Sequence, residues 1–497
     1  MKTKRILSVL VTAVLTVSML GGCSGSSEDN KSADGSGDAP YEATLLYIVA
    51  NDSATGIDAV EEAFNELTMK NLNIKVDLLP MSISTYNEQL QLMLSSGEKL
   101  DLFPLNASRA SSFIDSGFLL NLSDYLDNAK ETVDAVGMDD INCCSMDDFV
   151  WGIPVMMERA HPTGFVMRQD ILDEVGYKAE DIQGLDDLTN VYAAVHAKYP
   201  NMTILGGNYT CTLPWLSDHV DPLGDRFGVL DNYGETTEVV NYYETDEFKN
   251  LVKQMRSWYE AGYVSKDLAT CTENNSSMMR AGNMFSFCNN VKPDTAAETA
   301  NTTGQDIAVW QYNENFLTTW GTSAYGFCVS SNSENPGKAV ELYNFIFNSS
   351  EANDLLNWGV EGNDWVEAAD GSATFPEGVT LDTVGYHQGY GWCMPNQQVG
   401  HVWEGTDPNV FEAYTKARDE ASVSPLYGFG FNSTEVTNEI AALTAVQEEY
   451  VYTICSGSVD PDTEIDRFNK ALYDAGLQKV MDAKQTQIDK WLETNGK

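Results

Sequence analysis

The sequence predicts an α/β protein with two lobes. Apolar runs of strand length alternate with amphipathic helices from residue 41 onward, which is typical of layered α/β folds. The chain has 497 residues, is 43% hydrophobic and carries glycine and proline at ordinary levels. It can therefore bury one large core or two medium-sized ones, and we expect two lobes.

Residues 1–22 have the features of a secretory signal peptide. Lys2, Lys4 and Arg5 give a positively charged start, and residues 6–20 form an apolar stretch that is short for a permanent membrane helix. The run Leu20-Gly21-Gly22-Cys23 resembles the lipobox of bacterial lipoproteins, in which the cysteine is lipidated and becomes the first residue. We expect lipidation at Cys23 and a location on the extracytoplasmic face of the cell membrane.

The segment that begins at Cys23 predicts a tether, and the net charge of the chain limits the kinds of partner that it can bind. Residues 23–40 are rich in Ser, Gly and Asp and predict a flexible tether with a reach of about 20 to 25 Å. The whole chain has 29 basic and 74 acidic residues, a formal net charge of -45. Such a surface disfavours nucleic acid and anionic lipid. The acidic residues are scattered, so we interpret the charge as a contribution to solubility.

The body opens with strands and helices in strict alternation. The predicted elements are strand 43–50, helix 57–70, strand 74–79, helix 86–95 and strand 100–103. Gly97 ends the second helix, and a polar Asn-Asp loop follows the first strand. This order predicts a sheet covered by helices.

Several short segments follow one another in a characteristic order along the chain. They are residues 94–103, the Phe-Ile-Asp-Ser-Gly-Phe-Leu-Leu-Asn-Leu run at 113–122, Trp-Gly-Ile-Pro-Val at 151–155, and residues 279–287, 323–330 and 338–348. In this order, with the Asn-Asp loop at 51–52, they resemble the maltose-binding-like extracellular solute-binding proteins of ABC importers. The resemblance implies a two-lobed periplasmic-binding-protein type II fold with a cleft and a hinge between the lobes.

The resemblance also implies where the lobes begin and end. The expected segments are signal 1–22, tether 23–40, lobe 1 at 41–155 and 311–354, and lobe 2 at 156–310 and 355–497. Connections near 153–158, 308–319 and 355–362 would let the lobes close around a ligand.

Residues 358–365, 393–397 and the tail from 426–431 to Trp491 resemble lipoproteins of a subgroup of this family with an additional C-terminal helical region. Helical stripes are formed by Ile440, Leu443, Val446, Tyr450 and Ile454, and then by Ile465, Phe468 and Leu472. Asp460 before Pro461 predicts the start of the second of these helices. We interpret both stripes as core.

One group of candidate ligand-binding residues lies in loops that follow strands of the first lobe. Asn51 and Asp52 follow the first strand, Asn106 and Arg109 follow strand 100–103, and Glu158 follows the first connection between lobes. The resemblance implies that these loops face the cleft. The alternatives are a local turn at Asn51 and a surface ion pair at Glu158.

A second group supplies mainly aromatic rings. It consists of Trp215, Asn289, Trp320, Trp365 and Trp392. A tryptophan can stack on the apolar face of a sugar ring while amide, carboxylate and guanidinium groups bind its hydroxyls. The alternative for Trp215 is a place in the core, and the alternative for Trp320 is packing within the hinge.

The cysteines other than Cys23 do not show the sequence spacing of zinc ligands. They are Cys143, Cys144, Cys211, Cys271, Cys288, Cys328, Cys393 and Cys455. We expect mostly free, buried thiols, since a chain of this size folds without disulfides. Cys288 and Cys328 are the pair to test first.

The sequence contains no nucleophile elbow, zinc-protease motif, phosphate-binding loop or dinucleotide-binding fingerprint. We therefore expect a monomeric binding protein without enzymatic activity, cofactor or metal. Its ligand would be a mono- or oligosaccharide, handed to the permease subunits of an ABC transporter. The alternatives are a peptide-binding receptor, a secreted glycan-active enzyme or polysaccharide-binding protein, and a structural adhesin.

Overall fold

A computed structural model describes residues 39–160, 162–216 and 219–496; the signal segment and Cys23 lie outside these ranges. The strands are β1 Tyr41–Val49, β2 Ile74–Ser82, β3 Leu102–Leu105, β4 Ser145–Met146, β5 Phe149–Val150, β6 Ile153–Pro154, β7 Thr163–Arg168, β8 Thr203–Gly206, β9 Met284–Asn290, β10 Ile307–Gln311, β11 Phe316–Leu317, β12 Gly326–Val329, β13 Val366–Glu367, β14 Ala373–Thr374 and β15 Ser422–Val423. The helices are α1 Ile57–Leu72, α2 Ile83–Ser96, α3 Ala110–Asp115, α4 Lys130–Val136, α5 Met138–Asn142, α6 Gln169–Glu174, α7 Leu185–Lys198, α8 Leu213–Leu216, α9 Asp246–Glu260, α10 Asn275–Arg280, α11 Thr295–Thr303, α12 Thr319–Thr322, α13 Pro336–Asn348, α14 Ser350–Asn357, α15 Val410–Asp419, α16 Thr437–Cys455, α17 Pro461–Asp474 and α18 Leu477–Asn495. Within the described ranges, no helix combines the length and apolarity needed to cross a bilayer.

The first sheet has the strand order β2-β1-β3-β12-β6. β1 pairs in parallel with both neighbours, so that Leu45 lies opposite Leu78 and Leu102. β12 runs antiparallel to β3 and β6. Because successive strand residues point to opposite faces, Leu45 packs into the core shared with α1 and Leu46 into the core shared with α2. We call this part of the protein lobe 1, and its predicted alternation of strands and helices is confirmed.

The second sheet has the order β10-β7-β9-β8. β9 pairs in parallel with β8 and antiparallel with β7, which is antiparallel to β10. Phe165 and Met167 of β7 point into the core that contains Trp258 of α9, while Val166 points to the opposite face with Met279. We call this part lobe 2.

Helices α16, α17 and α18 form a C-terminal body that packs on lobe 2. Leu443 and Phe468 of this body share one core with Phe248 and Val252 of α9. The side chain of Asp460 accepts a hydrogen bond from the Asp462 amide at 3.3 Å and caps α17. Both predicted helical stripes are therefore confirmed as core.

The segment after α14 differs from its predicted place in the second lobe. Leu355 at the end of α14, and Tyr386 and Met394 beyond it, lie in the core beneath the first sheet. The chain reaches lobe 2 later, where Asn301 of α11 donates a hydrogen bond to the Glu404 carbonyl at 3.2 Å. The third connection thus lies near residues 396–404, and the expected position at 355–362 is wrong because that stretch is buried in lobe 1.

The eight described cysteines are all free, and six of them are buried. Cys288 lies in β9 of the second sheet and Cys328 in β12 of the first. The suggested pairing of these two residues is wrong, because each is enclosed in the core of a different sheet.

Candidate functional site

The first sheet presents one edge to the connections between the lobes. The parallel strands β1, β3 and β6 end at Val49, Leu105 and Pro154. Leu105 and Pro154 both pair with Gly326 at the start of β12, so the carboxyl ends lie side by side. The chain passes from this edge through residues 155–162 into lobe 2.

The second sheet faces the same connections with an equivalent edge. Thr163 begins β7 opposite Asn290, and Gly164 lies opposite Gln311 at the end of β10. β8, which is parallel to β9, ends nearby at Gly206. The space between the two edges is the interlobe cleft, and ligands of open α/β sheets bind outside the carboxyl ends of strands.

Asn51 and Asp52 are exposed on the lobe 1 side of the cleft. The Asn51 backbone exchanges two hydrogen bonds with the Gln388 side chain, at 3.0 and 3.1 Å. The Asn51 side-chain oxygen accepts from the Ser53 amide at 3.1 Å, and Asp52 accepts from the Ser82 amide at 3.3 Å. The loop is thus held in one shape, and part of the polar capacity of Asn51 is used in its own turn.

Asn106 fixes the loop after β3 to the second connection. Its oxygen accepts from the Ser108 amide at 3.0 Å, and its amide nitrogen donates to the Ala324 carbonyl at 2.9 Å. Arg109 is half-buried, and its guanidinium makes no hydrogen bond or ion pair with any residue in the described ranges. Arg109 is therefore available to a ligand with oxygen acceptors.

Three aromatic rings form a cluster on lobe 1, which we call the lobe 1 cluster: Tyr325, Tyr390 and Trp392. The ring centroids of Tyr325 and Tyr390 lie 5.4 and 5.5 Å from that of Trp392, and all three side chains are partly exposed. Burial raises the pKa of Tyr325. Sequence reasoning found Trp392 but missed both tyrosines; the signals were their places beside the second connection and in the Gly-rich segment.

Glu158 lies where the first connection enters lobe 2. Its Oε2 accepts a hydrogen bond from Gln397 at 3.2 Å. It also lines a cavity of about 240 Å³ together with Lys292 and Tyr414. Burial opposes the charge of Lys292, but the nearby carboxylates, Glu158 first among them, raise the pKa of Lys292 well above its usual value. The cavity is therefore lined by acidic and basic side chains together with polar groups.

Rings on lobe 2 form a second cluster, the lobe 2 cluster: Tyr209, Trp215 and Tyr452. The Tyr452 centroid lies 4.4 Å from that of Tyr209 and 5.9 Å from that of Trp215, with edge-to-face orientations. The Arg226 guanidinium lies 5.5 Å from the Trp215 ring centre. Asn289 is near the end of β9, opposite Gly164. Sequence reasoning missed Tyr209 and Tyr452.

The remaining predicted tryptophans occupy different surroundings. Trp320 is partly exposed on α12 in the second connection and belongs to neither cluster. Trp365 is 4% exposed, and its indole N–H donates to the Gly359 carbonyl at 3.1 Å. Because Trp365 is enclosed with Trp358 in a separate small core, its expected position over the cleft is wrong. Among the described residues, no group of three or more His, Cys, Asp or Glu is placed to hold a metal ion.

Two family models match this chain. The model described as bacterial extracellular solute-binding protein covers residues 52–353, more than half of the chain. The model of a domain of unknown function, DUF3502, covers residues 425–493, which include all but the last two residues of the C-terminal body.

Individual proteins are similar over nearly the whole chain. A carbohydrate ABC transporter substrate-binding protein of Streptococcus pneumoniae is 26% identical over 95% of both chains. The crystal structure of the N-glycan transport solute binding protein NgtS of the same species superposes with a TM-score of 0.81, at 24% identity over 92% of this chain and 100% of that one. Its complex with Man5GlcNAc gives a TM-score of 0.74 at 24% identity, over 91% and 99%. These structures confirm the predicted fold class.

Proposed function

This chain belongs to the bacterial extracellular solute-binding protein family, and from that premise we propose that it is the receptor of an ABC importer for oligosaccharides. Membership confirms the prediction of a solute-binding protein that carries out no catalysis, so the glycan-active enzyme and the adhesin are set aside. The carbohydrate assignment draws support from the similar pneumococcal protein named as a carbohydrate receptor.

One observation carries this proposal: partly exposed aromatic rings border the cleft on both lobes. The lobe 1 cluster adjoins Asn106, because Ala324, which accepts from Asn106, directly precedes Tyr325. Arg109, which has no hydrogen bond or ion pair with the described residues, lies three positions further along the same loop. The lobe 2 cluster follows the end of β8. Apolar ring faces beside amide and guanidinium donors match a pyranose, which has an apolar face and a rim of hydroxyls.

Closure of the lobes would bring these two groups of residues onto one ligand. The lobes are joined by connections near residues 155–162, 312–325 and 396–404, so a rotation about these short segments changes the width of the cleft. In the proposed closed form, Asn51, Asn106, Arg109 and Glu158 contact the ligand from lobe 1 and the first connection. Trp215 and Asn289 contact it from lobe 2.

The lipid anchor is a further part of the proposal. Cys23 would carry the diacyl group and residues 23–40 would tether the receptor near the permease, the second partner. In a bacterial host, Cys23→Ser should move the protein from the membrane fraction to the medium. Retention of the variant in the membrane would contradict the anchor without affecting the carbohydrate site.

Calorimetry and thermal unfolding with Man5GlcNAc, maltotriose and a tripeptide test the receptor function. A bound ligand at 100 times its dissociation constant should add about 2.7 kcal/mol to the free energy of unfolding. We expect an oligosaccharide to bind and Trp392→Ala to weaken its binding about tenfold or more. The control is Tyr473→Ala on α17, where the side chain is 37% exposed, and this variant should bind with unchanged affinity.

A peptide-binding receptor is the second candidate, and Arg109 is the observation that favours it. An unpaired guanidinium beside the cleft could bind a peptide carboxylate as well as sugar hydroxyls. Stabilisation by the tripeptide, with no response to either oligosaccharide, would replace the carbohydrate proposal by this one.

A further inference from the structure

The C-terminal body packs on lobe 2, and the turn before it contacts lobe 1. In the turn that precedes α16, Ser433 donates through its amide to the Ser111 hydroxyl at 3.1 Å, and the Thr434 hydroxyl lies 2.8 Å from the Asp115 carboxylate. Ser111 and Asp115 belong to α3, which directly follows Arg109. The body therefore reaches lobe 1 through polar contacts beside a candidate binding residue.

On the opposite side the same body is joined firmly to lobe 2. Its apolar side chains share a core with α9, and a Cβ at Gly457, just after α16, would clash with the Met255 carbonyl. The body and the turn before it therefore span both lobes, with polar contacts to lobe 1 and an apolar core shared with lobe 2. A side chain of α16 that points towards the β8 loop then lies beside the ligand space.

Tyr452 is such a side chain. Its ring meets Tyr209, which lies three residues beyond the end of β8, at a centroid distance of 4.4 Å and an interplanar angle of 79°. It also meets Trp215 at 5.9 Å and 64°. These contacts occur between parts of the chain more than 200 positions apart, so only the folded body brings the three rings together.

The polar groups of these three rings, two hydroxyls and one indole N–H, have no hydrogen-bond partner in the described part of the chain. Within the described ranges, no hydrogen bond is made by the hydroxyl of Tyr209, the hydroxyl of Tyr452 or the indole N–H of Trp215, and all three side chains are partly exposed. Tyrosine and tryptophan that serve only as core usually give these groups a partner, as Tyr242 does by donating to the Pro214 carbonyl at 2.6 Å. Three unpartnered tips on one aromatic surface point to a ligand with hydroxyls.

Arg226 holds this surface in place. Its guanidinium lies 5.5 Å from the ring centre of Trp215 and 5.4 Å from that of the buried Tyr242, so it covers one face of Trp215. Trp215 is also partly buried against the core shared by α9 and the C-terminal body, so its ring is held in one position. A fixed ring loses little freedom on binding, which favours affinity.

We propose that helix α16 supplies Tyr452 as a ligand-contacting residue, and that Tyr452, Tyr209 and Trp215 form a stacking surface for one sugar unit of the oligosaccharide. The inference rests on the proposed function and extends it, since it gives the region matched by DUF3502 a share in ligand selection. Because the rings meet edge to face, one ring face stacks on the apolar face of the sugar, and the two hydroxyls and the indole N–H bind its rim.

The test compares Tyr452→Ala, Tyr452→Leu and Tyr452→Phe with the wild type and with Tyr473→Ala in the full chain. Calorimetry with Man5GlcNAc and maltotriose gives the affinities, and thermal unfolding without ligand checks the fold. We expect about tenfold weaker oligosaccharide binding for the Ala and Leu variants and a smaller loss for Phe, which keeps the ring but lacks one hydroxyl. The Tyr473→Ala control, whose hydroxyl contacts Glu244 on the surface, should bind normally.

The outcomes distinguish the ligand contact by Tyr452 from the receptor function itself. If the wild type binds an oligosaccharide and Tyr452→Leu binds it within about twofold, Tyr452 is not a ligand contact and the inference is overturned while the receptor function stands. If the wild type binds neither sugar, the proposed function itself fails. The Leu variant keeps apolar volume at position 452, so the comparison remains informative even where the Ala variant does not fold.

Discussion

Asp140 joins lobe 1 to both the first connection and the segment before the C-terminal body. Its Oδ2 lies 3.3 Å from Arg159 Nη2 and 3.0 Å from Arg418 Nη2, and its Oδ1 accepts from the Tyr427 hydroxyl at 2.6 Å. The side chains of Asp140 and Arg159 are 2% exposed, whereas that of Arg418 is 36% exposed. We predict that Asp140→Asn strongly destabilises the protein.

The magnitude follows from burial and distance. Asparagine keeps the size of the side chain and its hydrogen bond with Tyr427 but removes the charge, which leaves Arg159 as a buried cation without a carboxylate. At 3.3 Å and an effective dielectric constant of about 20, the lost attraction is about 5 kcal/mol. Arg159 keeps its 3.2 Å bond to the Thr322 carbonyl, so we expect a net loss of about 3 kcal/mol.

Urea unfolding followed by tryptophan fluorescence measures this loss. Arg418→Ala is the matched control: it removes the exposed partner and leaves Asp140 paired with Arg159, so it should cost less than about 1 kcal/mol. If the two variants lost equal stability, or if Asp140→Asn cost under about 1 kcal/mol, the reasoning from burial would be refuted.

Burial lowers the pKa of His387 from 6.5 to about 4. Between pH 6.5 and about 4, the histidine is therefore protonated in the unfolded chain but not in the folded protein. The free energy of unfolding should fall by about 3 kcal/mol as the pH drops from 6.5 to about 4. His387→Phe should remove that part of the fall in urea titrations at each pH, and an unchanged slope would contradict it. Gly457→Ala should cost more than about 2 kcal/mol in the same assay, because Gly457 has a φ of 75° and a Cβ would clash with Met255; a neutral effect would mean that α16 can move away from α9. In the native protein a thiol reagent should modify only Cys211 and Cys271 of the eight described cysteines quickly; rapid reaction of more than two would show that the cores open readily.

Regular elements of the chain were predictable because their signals are local. The alternation of strands and helices through residue 105 and the stripes of α16 and α17 follow from apolar spacing within each element. Tyr450 and Tyr452 show the limit of that method. Residues two positions apart on a helix differ by about 200° in direction, so Tyr450 stacks on Phe468 while Tyr452 meets Tyr209, although both rings are partly buried against the same core.

The candidate site was predictable only in part. Trp392 and Trp365 both lie in irregular, Gly-rich segments, yet Trp392 is partly exposed in the lobe 1 cluster and Trp365 is enclosed in a small core. Local sequence does not distinguish these cases, because burial depends on which distant residues cover a ring. The same holds for Cys288 and Cys328, whose separation in space is set by the assignment of their strands to different sheets.

By itself the sequence determined the class of the protein, since composition, periodicity and the order of its segments specify alternating strands and helices and an acidic chain without a catalytic motif. Only the tertiary structure decided that residues 355–394 pack on lobe 1, that the third connection lies near 396–404, and that Tyr452 contacts Tyr209 and Trp215. The physical reason is range. Hydrophobic spacing acts within one element, whereas a binding surface is made by side chains whose proximity depends on the packing of whole lobes.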